Sequence, residues 1–137
     1  MAVVKDLITI TENQTLSFGD YSLAAKTKKA DFMYEGDIYK IKTFSEITKL
    51  EKNGMMVYES VPGTAVHNLK VTDDTIRFMV EAAEDVEITL GLEPDSEYKV
   101  YVDNTNLGKI NTNLGGKLTI SVEFNGATEA EVKIVRA

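Results

Sequence analysis

Val86-Glu87-Ile88-Thr89-Leu90-Gly91-Leu92, Tyr98-Lys99-Val100-Tyr101-Val102 and Leu118-Thr119-Ile120-Ser121-Val122-Glu123-Phe124 decide the fold. In each run apolar side chains alternate with polar or small ones, and successive strand residues point to opposite faces, so each run has one oily and one wet face. Pro94-Asp95-Ser96 and two Asn-Leu-Gly turns lie between them. The runs are therefore predicted to be neighbouring half-buried strands sharing one core face.

The same two-residue beat recurs through the chain. Val3 to Thr11 suits a first strand, and Thr15 to Phe18 with Tyr21 to Ala25 flank Gly19-Asp20 as a predicted hairpin. Lys26 to Ala30 reads as a loop. Phe32 to Tyr34 and Ile38 to Thr43 flank Gly36-Asp37, while Ser45 to Leu50 leaves a strand and one helical turn in competition. Lys52-Asn53-Gly54 signals a type I′ turn into a strand from Met55 to Ser60, ended by Pro62-Gly63-Thr64. Val66 to Val71 and Ile76 to Val80 join through Thr72-Asp73-Asp74, and Asn125-Gly126 leads into Glu129 to Val135 with Val132 and Ile134 inward. Many short strands with frequent turns predict one all-β domain over residues 1–137, an antiparallel β-sandwich of jelly-roll or Ig-like type, with a barrel as the alternative.

Composition narrows the function classes. The 137 residues are 43% hydrophobic and 27% charged, with a formal charge of −7, a negative field that repels phosphate backbones and argues against nucleic acid. Lys26, Lys28 and Lys29 make one basic knot rather than a basic face. Cysteine is absent, which removes disulfides, thiolate nucleophiles and Cys-type metal sites. Met1-Ala2-Val3-Val4-Lys5-Asp6 lacks the basic start and apolar stretch of a secretory signal, and no apolar run reaches membrane-spanning length. The expectation is a cytoplasmic protein, with leaderless export or surface assembly left open.

Candidate chemistry is sparse. His67 is the only histidine, so one Ser-His-Asp arrangement at most is available and no strained nucleophile turn accompanies it. Glu81, Glu84, Asp85 and Glu87 crowd one turn, which allows a carboxylate-dependent hydrolase or a hard-cation site. Asp103 to Gly108 begins like a calcium loop, but Thr105 and Leu107 replace side-chain ligands and Leu114 stands where the bidentate Glu belongs. Gly115-Gly116 leads into a strand rather than a helix, so no phosphate loop forms. No cofactor and no metal are expected.

Surfaces offer more. Met55-Met56-Val57-Tyr58 carries neither charge nor proline to discourage pairing with another chain, and exposed Met and Tyr suit contact surfaces. With Val3 and Val4 of the first strand these are the predicted interface of a homo-oligomer or protein complex. A glycan is the alternative ligand, held by Tyr101 with Asn104, Asn106, Asn111 and Asn113, the amides of the repeat Asn104-Thr105-Asn106-Leu107-Gly108-Lys109 and Asn111-Thr112-Asn113-Leu114-Gly115-Gly116-Lys117. The same amides suit two turns around a very short strand.

Two resemblances follow from these residues. Leu92-Glu93-Pro94-Asp95-Ser96-Glu97-Tyr98 through Asp103, with Gly115 to Val122, resembles small accessory β-sandwich modules of bacterial polysaccharide-active proteins. Phe18-Gly19-Asp20-Tyr21, Tyr39 to Phe44 and Tyr58-Glu59-Ser60-Val61-Pro62-Gly63-Thr64 are similar to short all-β Firmicutes proteins labelled endosialidase. Sialidase chemistry implies an arginine cluster on a many-bladed propeller. With two arginines, Arg77 and Arg136, in 137 residues, the resemblance implies an accessory or assembly module and carries over no catalytic residue.

Overall fold

The computed structural model describes Val4, residues 6–124 and residues 128–137. The described chain is all-β. Its thirteen strands are β1 (Ile8–Ile10), β2 (Leu16–Phe18), β3 (Thr27–Tyr34), β4 (Asp37–Phe44), β5 (Ile47–Lys52), β6 (Met55–Val61), β7 (Ala65–Val71), β8 (Thr75–Glu81), β9 (Val86–Gly91), β10 (Glu97–Val102), β11 (Thr105–Asn111), β12 (Lys117–Val122) and β13 (Glu129–Arg136). Sheet A orders seven as β1-β2-β7-β8-β13-β10-β11, and sheet B orders six as β12-β9-β6-β5-β4-β3. The sheets do not close into a barrel, so the architecture is a β-sandwich.

Alternation builds the core. Phe78 and Val80 of β8, Val132 and Ile134 of β13 and Val100 of β10 face Ile41, Leu50, Ile88, Leu118 and Ile120 of sheet B, each at most 4% exposed. Tyr58 spans the layers: its ring lies 5.1 Å from Phe18 and 5.8 Å from Phe78, both edge to face, a geometry that adds to plain area burial. β9 and β12 pair along six residues as expected. β10 instead joins sheet A, so the three deciding runs share a core but not one sheet.

Other expectations are corrected by close packing. Gly19 and Asp20 form no hairpin; Gly19 (φ 99°) leaves no room for a Cβ beside the Thr64 carbonyl. The Asp20 N–H donates to Thr43 Oγ1 at 2.9 Å, and the chain crosses between sheets there. The first strand keeps only Ile8–Ile10, because Asp6 and Leu7 turn left-handed at φ 57° and 71°. Lys26 to Ala30 is mostly strand: β3 is an edge, where lysines are tolerated. Residues 47–52 resolve to β5, with Thr48 and Leu50 buried. Asn53 and Gly54 form the expected turn at φ 51° and 83°, and Asn53 Oδ1 accepts from Ile38 N at 3.0 Å. The Asn125-Gly126 turn lies outside the described residues.

Candidate functional site

The described residues of the predicted interface are placed apart and differ in exposure. β6 lies between β5 and β9, so its backbone is already paired on both sides over most of its length. Tyr58 is 2% exposed, and Met56 and Val57 are half-buried, while Met55 at the turn is 73% exposed. Met55 instead shares its end of sheet B with the exposed cross-strand pair Met33 and Ile38. Val4 is buried and donates its N–H to the Gly19 carbonyl at 3.4 Å; Val3 lies outside the described residues.

The amide ladder is largely turn chemistry. Asp103 and Asn104 take φ 49° and 66° between β10 and β11. Asn106 Oδ1 accepts from Gly108 N, and Asn113 Oδ1 from Gly115 N and Lys117 N, all within 2.9 Å. Asn111 is exposed at the end of β11. Tyr101 points outward and half-buried, with Lys133 Nζ 5.6 Å from its ring centre, a cation–π contact that already covers one ring face.

Register places Tyr101 in a rank that sequence spacing does not display. Lys70 lies opposite Arg77, Arg77 opposite Lys133, Lys133 opposite Tyr101 and Tyr101 opposite Asn106. Beside its cationic end, Asn13, Thr15, Asn68, Lys70, Thr72, Thr75 and Arg77 line an open polar groove of about 500 Å³. Thr15 Oγ1 donates to Asn68 Oδ1 at 3.1 Å and fixes that side chain at the groove.

The acidic turn separates rather than converges. Glu87 is exposed between buried Val86 and Ile88 on the outer face of sheet B, whereas Glu81 is buried on the outer side of sheet A. Asp85 Oδ1 accepts from Phe124 N at 3.0 Å, and Glu84 is exposed. His67 Nε2 meets Glu81 Oε1 at 3.0 Å, and Tyr21 Oη donates to Glu81 Oε2 at 3.1 Å. Glu129 stands directly opposite Glu81 in the ladder, its Oε2 buried without a partner among the described residues. Burial foremost, and then Glu81, holds the Tyr21 phenol above its ordinary range. Among the described residues, no three His, Asp or Glu side chains are placed to hold a metal ion.

The sheet edges differ from one another. β1 has three residues. β3 is interrupted by a register shift between Lys29 and Phe32, with Asp31 at φ 59°. β11 meets β10 through a shift at Val100 and Tyr101, and its Gly108 sits at φ 97°. Short length, bulges and edge lysines all discourage pairing with another chain. β12 has none of the first two and one lysine at its start: it pairs β9 without a shift from Lys117 opposite Gly91 to Val122 opposite Val86. Leu118, Ile120 and Val122 are buried, Thr119 and Ser121 are exposed, and no strand pairs on its far side among the described residues.

No family model matches the chain, and neither a curated protein nor a solved structure matches it. No helix among the described residues is long and apolar enough to cross a membrane.

Proposed function

We propose that this is a non-catalytic structural protein that self-associates by pairing β12 with β12 of a second copy. The regular, bulge-free edge of β12 carries this reading. A two-fold axis normal to sheet B pairs the strands antiparallel and keeps both inner faces on the same side, so two six-stranded sheets become one continuous sheet. Thr119 and Ser121 add no charge that would oppose the approach. Mass measurement at high micromolar concentration tests it: wild-type protein is expected to contain dimer, and Thr119→Lys with Ser121→Lys to be monomeric. Dimer kept by that variant and lost on Met55→Lys would assign association to the Met33, Ile38 and Met55 end instead.

The polar groove on sheet A favours one second reading, a glycan-binding accessory module. There the contact residues would be Asn13, Asn68 and Arg77 beside the rank ending on Tyr101. Glycan-array binding lost on Asn68→Ala supports it, and binding that persists in Asn68→Ala and Tyr101→Ala removes it.

A further inference from the structure

The outer face of sheet B holds a second cationic rank. Lys28 lies opposite Lys42, and Lys42 opposite Lys49, so three ammonium-bearing side chains cross adjacent strands spaced by roughly 4.8 Å. Like charges directly opposite each other destabilise a sheet. Lys28, Lys40, Lys42 and Lys49 converge with Glu51 on a single hollow of about 40 Å³. Lys49 pairs with Glu51 at 3.7 Å, Glu51 also stands directly opposite Lys40, and Glu59 stands opposite Lys49 at the rank's far end, while Lys28 and Lys42 face only each other and Lys49 along the rank. Burial, and then Lys26, Lys49 and Lys28, press the Lys42 ammonium below its ordinary range. The whole chain carries −7, so this concentration of positive charge runs against its overall field.

We infer that the hollow is a binding site for a doubly charged tetrahedral oxyanion, sulfate or phosphate, either free or as a monoester on a polymer. Four lysines against Glu51 in the hollow and Glu59 beside it still leave a net positive charge of about two, which a doubly charged anion would match. Lysine also suits the shape: its ammonium is a point charge with three donors that approaches a tetrahedral anion from any side, whereas planar carboxylates favour the arginine fork. Occupancy converts mutual repulsion into shared attraction to one ion.

The test is thermal unfolding of the full chain in low-millimolar sulfate or phosphate, against chloride at matched ionic strength. A saturable rise of roughly 2–5 °C is expected, absent in Lys42→Gln with Lys49→Gln and retained in Lys117→Gln. In low salt without oxyanion the double variant should be at least as stable as wild type, because it relieves the repulsion. Amide shifts on titration should cluster on β3, β4 and β5. Dextran sulfate, with neutral dextran as control, separates the sources: affinity per sulfate at least about tenfold above the free ion's assigns a polymer, and equal affinity assigns the free ion. A rise that is linear in salt, equal for chloride, or unchanged in the double variant overturns the site, since excluded salts stabilise any fold without saturating.

Discussion

Tyr58 Oη lies 2.8 Å from Thr64 Oγ1 inside the sandwich, and both residues are at most 2% exposed. Thr64 Oγ1 also meets Ser60 Oγ at 2.9 Å, Thr64 N donates to Thr48 Oγ1 at 3.0 Å, and Thr48 Oγ1 lies 2.8 Å from Thr43 Oγ1. A buried chain of hydroxyls is tolerated because its members satisfy one another. Tyr58→Phe keeps the ring contacts and removes one link. It is expected to cost about 1–2 kcal/mol, read as a melting point lowered by roughly 3–6 °C. An unchanged melting point would mean that the hydroxyl chain adds nothing to stability.

Alkaline stability follows from Tyr39. Burial, aided by Asp37, pushes its phenol up to about 12, above the unfolded value of roughly 10. The folded state therefore holds a proton that the unfolded state releases, and stability falls as pH rises between those values. Tyr58, raised further by burial, acts in the same direction. Denaturant midpoints are expected to be flat below pH 10 on this account and to fall from about pH 10 to 12. Tyr39→Phe should shallow that fall, and an identical slope in the variant would remove Tyr39 from the explanation.

Two glycines separate space from backbone strain. A Cβ on Gly63 would run into the Phe44 carbonyl oxygen, whereas one on Gly36 meets nothing within 4 Å. Gly36 sits at φ 84° in the β3–β4 turn, so Gly36→Ala bears only the left-handed cost of about 1–2 kcal/mol. Gly63→Ala must displace backbone between sheets and is expected to lose more than about 3 kcal/mol. Equal losses in urea titration would contradict the packing described for Gly63.

Glu81 binds His67 and Tyr21 at 3% exposure. Glu81→Ala strands both partners and is expected to cost about 1–3 kcal/mol. Glu81→Gln keeps the shape but has one acceptor oxygen where Glu81 meets Tyr21 and His67 on two, so one partner must reverse its hydrogen bond, and the loss should still be smaller than for Ala. A loss for Gln as large as for Ala would show that the second acceptor oxygen, rather than the shape of the side chain, holds the cluster.

Strands with strict alternation were legible in the sequence because one buried face fixes both period and register: β8, β9, β12 and the hairpin at Asn53-Gly54 fall where the pattern places them. The segment from Gly19 to Ala25 was not, since a glycine that looks like a turn is there to let the Thr64 carbonyl approach. The central position of β6 was hidden for a related reason. An uncharged run such as Met55 to Tyr58 carries no mark of being interior to a sheet, and edge position is a property of topology. Lys28, Lys42 and Lys49, like Lys70, Arg77 and Lys133, sit seven or more residues apart in sequence and meet only through cross-strand register. Tyr21 and Glu129 reach Glu81 in the same long-range way.

Sedimentation velocity over micromolar to high micromolar concentration, on wild type and on Thr119→Lys with Ser121→Lys, tests β12 pairing most directly. Pairing predicts a concentration-dependent dimer whose association weakens at least about tenfold in the variant, as lysines are brought opposite one another across the two-fold axis. Wild-type protein that stays monomeric throughout, or a dimer of equal strength in both proteins, would contradict it.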